Sequence, residues 1–142
     1  KIINFFMFSI SKETDYALSA LFYLVDKHYY VSVFEISEKL KIPKTYLARI
    51  FSKLASNNIL KSKEGNSGGY SLNIKLEDIV LYNFLILFEK DLGIVRCQKN
   101  GKICNCLNFC HHKNFFQGYL FKILEKELKS KKLSEVYNLK KK

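Results

Sequence analysis

The chain is short of acid. Against 24 lysines and arginines it carries 13 aspartates and glutamates, a formal net charge of +11. That imbalance points toward a polyanionic partner, nucleic acid first and an anionic membrane surface second. Long hydrophobic runs are also missing. The longest apolar stretch, Ile79 to Phe88, is interrupted by Asn83 and flanked by Asp78 and Glu89, well short of the roughly 20 residues that span a bilayer. With one proline and six glycines in 142 residues, the composition is far from collagen-like or disordered chains, and it contains no repeat and no low-complexity linker. The length suits a single domain, which excludes most multidomain enzymes. Residues 1–8 are apolar but hold one lysine and no small-residue cleavage site. The expectation is therefore a cytoplasmic protein that does not enter a membrane, with residues 1–7 as an extension outside the domain.

What is present reads first as helices. In SKETDYALSALFYLVDK, from Ser11 to Lys27, Ala17, Leu21, Leu24 and Val25 share a stripe that Leu18 and Phe22 widen. Ser11 and Thr14 are capping residues, and Glu13 and Asp15 place negative charge in the first turn. A second helix is predicted from a Ser32 cap through Leu40, with Phe34, Ile36 and Leu40 inward. After a tight turn at Lys41 and Ile42, Pro43 stands where a third helix takes its first turn. That third helix, Lys44 to Asn58, buries Leu47, Ile50, Phe51 and Leu54 and leaves Lys44, Thr45, Arg49 and Lys53 outside. Two helices joined by a short turn, the second with a basic outer face, form a helix-turn-helix pattern.

Two strand-like runs follow, Ile59 to Lys63 and Tyr70 to Ile74, around a turn of Gly65, Asn66, Ser67, Gly68 and Gly69. This is a β-hairpin placed as the wing of a winged helix, with glycines to supply positive φ at the tip. A phosphate-cradling loop of the Walker type is disfavoured, because no Lys-Ser/Thr pair follows the glycines. A fourth helix is predicted from Leu76 to Lys90, apolar nearly all round. Near the C-terminus Phe116, Leu120, Leu124 and Leu128, with Tyr119 and Ile123 beside them, form a broad stripe on a helix running to about Lys129. So long a stripe outside the winged-helix core fits a homodimer seam built from Phe116, Leu120, Ile123, Leu124 and Leu128. The terminal Lys140 to Lys142 run reads as a solvated tail.

Two constellations carry chemistry. Lys44, Thr45, Tyr46 and Arg49 stand at the start of the third helix, where polar side chains reach base edges in a major groove. Lys53, Lys61 and Lys63, with Asn66 and Ser67 at the wing tip, are placed for phosphate. The second constellation is RCQKNGKICNCLNFCHH. Cys97, Cys104 and Cys110 are separated by six and then five residues, loop spacing that lets three thiolates meet one inorganic centre. Cys110 lies near a helix start, where the dipole favours the thiolate. A structural zinc site using all four cysteines, or three of them with His111 or His112, needs the same residue types, and on the residues alone the two stand equal. A thiol enzyme pairing Cys110 with His111 or His112 is disfavoured, since neighbours on a helix point apart.

Four segments together carry a family resemblance: TDYALSALFYL at Thr14 to Leu24, IPKTYLARIFSKL at Ile42 to Leu54, GNSGGY at Gly65 to Tyr70, and the Cys97, Cys104, Cys110 triad. From Phe8 to Leu139 the sequence resembles the Rrf-type winged-helix transcriptional regulators, which include IscR and the nitric-oxide-responsive repressor NsrR. The spacing CNCLNFCHHKNF looks closer to the NsrR branch. The resemblance implies a mainly α fold with a small hairpin wing, in which residues 8–76 form the winged helix-turn-helix. Residues 77–142 then hold the cluster loop and a long dimerisation helix. It also implies a homodimeric repressor on a double-stranded DNA operator, with recognition helices roughly 34–36 Å apart or a multiple of that.

The implied cofactor is an iron–sulfur cluster on Cys97, Cys104 and Cys110, 4Fe–4S in preference to 2Fe–2S, sensing nitric oxide, redox state or iron–sulfur status. Zinc, in a winged-helix protein without a sensing cluster, is the alternative. Where IscR-like members place a fourth-ligand histidine, this chain has Lys113; in NsrR-like members an acidic residue of the partner's first helix serves, and the matching position here is Asp15. Asp15 has an equally simple reading as a helix-dipole charge. Two residues depart from the family pattern. Glu64 stands where the wing usually has arginine, with Lys63 or Lys61 as substitutes, and Cys106 is an extra thiol read as a spectator.

Overall fold

The computed structural model describes residues 9–90, 92, 93, 112 and 114–138. The chain divides into two units, Lys1–Ile74 and Lys75–Lys142.

In the first unit, helix α1 runs Lys12–Val25. Ser11 caps it in extended conformation, its Oγ accepting from the Thr14 N–H at 3.2 Å. Thr14 is itself buried and its hydroxyl hydrogen-bonds Ser11 at 3.0 Å, so the second expected capping residue is a core residue instead. Ala17, Ala20, Leu21 and Leu24 complete the inner line. Phe22 and Val25, expected inward, are exposed. Each follows a buried leucine by one residue, and the roughly 100° step of a helix carries it off the line.

Helix α2, Val33–Leu40, starts where Ser32 accepts from the Glu35 N–H at 3.1 Å, and Ile36 is its buried residue. Phe34, also expected inward, is 59% exposed, because i, i+2 spacing places it nearly opposite Ile36 on the helix. Leu40 is half-buried. Lys41 ends α2 in the left-handed region, φ 55°, and the Ser37 hydroxyl donates to the Ile42 carbonyl at 2.7 Å to hold the turn. Pro43 is the N-cap of helix α3, Lys44–Ser56, rather than its first helical residue; ψ 136° keeps it extended while its carbonyl accepts from Tyr46 and Leu47. Leu47, Ile50, Phe51 and Leu54 are fully buried as predicted. The helix closes two residues early, with Asn58 at φ 58° leading into the wing.

Strands β1, Leu60–Lys63, and β2, Gly69–Leu72, pair antiparallel with Lys61 opposite Ser71 and Lys63 opposite Gly69. The tip turns at Gly65, φ 103°. Val31 bridges the outer side of β2, exchanging hydrogen bonds with Tyr70 at 2.9 and 2.8 Å. Gly69 has φ 146°, and a Cβ there would collide with the Val31 carbonyl. Glycine is required at that position by space and by dihedral alike.

In the second unit the predicted helix over 76–90 is three pieces. A 3₁₀ turn at Leu76–Asp78 gives way to extended backbone at Ile79 and Val80, and only Leu81–Phe88 is α-helix, here α4. The cause is distant in sequence. Val80 pairs with Lys132; the Leu133 N–H donates to the Ile79 carbonyl at 2.8 Å and the Leu81 N–H to the Lys131 carbonyl at 2.9 Å. Phe84, Leu85 and Phe88 are buried, whereas Ile86 is exposed. Asn114–Leu120 forms π-helical turns that run directly into α5, Phe121–Ser130. A short helix not anticipated from the sequence, α6, Leu133–Asn138, follows. Its Glu135 reaches back to accept from the Lys132 N–H at 2.9 Å, one half of a capping box.

Candidate nucleic-acid interface

The outer side of α3 follows from its inner side. With Leu47, Ile50, Phe51 and Leu54 fixed inward, Lys44, Thr45 and Arg49 are exposed and Tyr46 and Lys53 half-exposed. Its first turn contains no acid and its cap no side-chain hydrogen bond, so the positive end of the helix dipole carries no opposing charge from its own turn.

Helix α1 adds a partner that periodicity does not reveal. Glu13, read as a helix-start charge, turns its Oε1 to two cations of α3: Lys53 Nζ donates to it at 3.2 Å and Arg49 Nε lies 3.5 Å away. Such partly exposed pairs contribute about 0.2–1 kcal/mol each; their larger effect is to fix where two long basic side chains stand.

Aromatic rings do the same for the remaining cations. Arg49 lies over Tyr46 at 5.2 Å, Tyr46 meets Tyr16 of α1 edge-on at 5.5 Å, and Lys12 stands over Tyr16 at 5.5 Å. Lys44 lies 4.3 Å over Phe34, the ring that α2 turns outward. Lys61 and Lys63 share Tyr30, at 5.9 and 5.8 Å. Asn66 and Ser67 are exposed at the wing tip, as is Glu64 beside them. The wing root is anchored in the core by Tyr70, whose ring is 4.8 Å from Phe51. At the start of α2, Glu35 accepts from the Tyr23 hydroxyl at 2.9 Å and the Tyr29 hydroxyl at 3.3 Å. The Glu35 hydrogen bond, helped by burial, raises the Tyr23 phenol above its ordinary value.

The cysteine constellation lies elsewhere. Cys97, Cys104, Cys106, Cys110, His111 and Lys113 are outside the described residues, as are residues 1–7 and the terminal lysines. Among the described residues no three His, Cys, Asp or Glu side chains converge as a metal site. Asp15 is exposed in the first turn of α1 and His112 is exposed beside Phe116, 6.1 Å between rings. The expected seam residues lie on one continuous helical segment: Phe116, Leu120, Leu124 and Leu128 are half-buried and Ile123 is exposed.

Comparison with known proteins agrees with this architecture. Residues 10–139 match the Rrf2 family, described as iron-dependent transcriptional regulators. The chain belongs to that family, whose members regulate transcription and are not enzymes. IscR of Photorhabdus laumondii is 32% identical over 68 residues, covering 48% of this chain and 42% of that protein. The chain spans about half the length of the curated relatives it matches. Among solved structures, CymR of B. subtilis, the global cysteine regulator, superposes with a TM-score of 0.69 at 19% identity, covering 93% of this chain and 98% of that one. IscR of T. potens gives 0.65 at 24% identity, covering 92% and 87%. The fold is that of the winged-helix Rrf2 regulators, mainly helical with a two-stranded wing. Among the described residues no helix is long and apolar enough to cross a membrane.

Proposed function

We propose that the protein is a cytoplasmic homodimeric repressor that binds a double-stranded operator through α3 and the wing and responds to the state of an iron–sulfur cluster. One observation carries the DNA-binding half. The basic side chains of α3 and the wing are exposed or, for Lys53, half-exposed on one unit, each beside an aromatic ring or Glu13, while the inner face of α3 is fully buried. Lys44, Thr45, Tyr46 and Arg49 occupy the major groove in this reading; Lys53, Lys61, Lys63, Asn66 and Ser67 meet the backbone. Two copies associate along Phe116, Leu120, Ile123, Leu124 and Leu128.

The sensing half rests on donor chemistry. Cys97, Cys104 and Cys110 would hold the cluster, 4Fe–4S in preference to 2Fe–2S, with Asp15 of the partner subunit as fourth ligand. Three thiolates suit iron, and a carboxylate is a hard, weaker ligand, so such a donor set leaves one iron open to nitric oxide or oxygen when the cluster is bound. Closeness to the NsrR branch belongs to this proposal too.

The test is the visible spectrum of anaerobically purified protein with iron, acid-labile sulfide and zinc counted per chain, followed by gel shifts with and without nitric oxide. Matched iron and sulfide, with bleaching and release of DNA together, is the expected result. Stoichiometric zinc in a colourless protein would replace the sensor with a structural clasp. Unchanged operator affinity after replacing Cys97, Cys104 and Cys110 by alanine would end the switch.

A further inference from the structure

Glu64 stands before the first wing glycine, and the cations of the hairpin, Lys61 and Lys63, lie further back on β1. Lys61 and Lys63 alternate along β1 and so share one face of the hairpin. Their cross-strand neighbours are Ser71 and Gly69, too small to cover or neutralise them. Among the described residues neither lysine has an acid within ion-pair distance. Both ammonium groups instead stand within 6 Å of the Tyr30 ring centroid, inside the range where a ring quadrupole attracts a cation. The backbone that carries the ring is anchored: Tyr30 precedes Val31, whose two hydrogen bonds to Tyr70 fix that segment to β2. Two like charges on one ring repel each other, and an anion between them relieves that repulsion.

We propose that Tyr30 is a positioning residue of the wing, its ring holding Lys61 and Lys63 ready to clamp the phosphate backbone of a bound duplex. The inference rests on the DNA-binding reading above and deepens it. Tyr30 contacts the lysines and acts on DNA only through them. Loss of the ring therefore lowers affinity by releasing two flexible side chains, without removing a charge. Loss of the lysines removes the charges themselves.

The experiment is fluorescence anisotropy of the full chain with a labelled duplex of mixed sequence, over a salt series. Tyr30→Leu is expected to weaken binding about fivefold while keeping the salt dependence of the unsubstituted protein. Tyr30→Phe, which keeps the ring, restores affinity. Lys61→Gln with Lys63→Gln lowers the slope of log affinity against log salt by about 1.8, two phosphate contacts' worth. In that background Tyr30→Leu has no further effect. Equal weakening by Tyr30→Leu with and without the lysines overturns the proposal, as does wild-type affinity in Tyr30→Leu or failure of phenylalanine to restore it. Should the leucine variant melt early, the unsubstituted protein decides: the Lys61 and Lys63 side-chain amine signals must shift in NMR spectra when duplex is added, and unmoved signals sink the idea. A chain with no salt-dependent duplex binding at all would bring down the DNA-binding reading itself, a different and recognisable failure.

Discussion

Helix α3 and the helical stretch 114–130 are both amphipathic, yet among the described residues only α3 has a fully buried apolar stripe. Every apolar residue of the α3 stripe is at 0% exposure, from Leu47 to Leu54. On the longer stretch no residue is fully buried, and Phe115, Tyr119 and Ile123 are about half exposed or more. The same 3.6-residue pattern therefore has two meanings. In α3 it is satisfied inside a three-helix core, so the polar side is free to be the working surface. Along 114–130 the apolar side stays partly exposed, as the proposed association seam requires.

The sharpest way to test that contrast is to truncate one residue on each helix and vary protein concentration. Phe51→Ala removes a fully buried ring that also supports Tyr70, and should cost about 3–5 kcal/mol, with a melting temperature lowered equally at all concentrations. Leu124→Asp should leave the first unit's core intact and weaken self-association by about 30-fold or more, read as halved mass in sedimentation and a concentration-dependent melting temperature. Concentration-independent behaviour in both would erase the distinction. Gly69→Ala comes next, at about 1–3 kcal/mol. It forces an L side chain into φ 146° and against the Val31 carbonyl, so its chemical-denaturation midpoint should fall more than that of an alanine at Gly118, where the space is open.

The smallest effect is a pH dependence confined to the second unit. The Lys132 backbone N–H lowers the Glu135 carboxyl, and the Lys129 hydrogen bond lowers that of Glu125. Lowered carboxylates stabilise the fold fully above the usual carboxylate range, and that contribution disappears as pH falls through the lowered values. Glu135→Gln should flatten the acid limb of the stability profile, measured by circular dichroism, by lowering neutral-pH stability slightly while leaving stability at the acid end nearly unchanged.

How much of this is legible in the sequence depends on distance along the chain. Ser11, Ser32, the 47/50/51/54 spacing and the glycine turn are local signals, and the structure places those elements within a few residues of expectation. Phe22, Val25 and Phe34 look inward by apolar character alone, whereas helical phase decides their direction and turns them out. The break at Ile79 and Val80 depends on Lys131 to Leu133, about fifty residues away, and no window on 76–90 contains that information. Glu13 with Arg49 and Lys53, and Tyr30 with Lys61 and Lys63, are equally non-local. Their residue types are visible in the sequence, but not their meeting. The cysteine spacing is the strongest chemical signal in the sequence, and it falls outside the described residues.

The order Val31, β2, β1 has a further effect unrelated to DNA. It makes β2 the central strand of the patch and leaves β1 as an edge with no strand on its far side among the described residues. An open edge invites pairing with the same edge of another copy, and lysines along it are a common deterrent. Lys61 and Lys63 thus guard solubility as well as charge. Replacing them by valine or isoleucine, good strand formers, would turn the wing into a template for aggregation, whereas glutamine removes charge without adding that hazard.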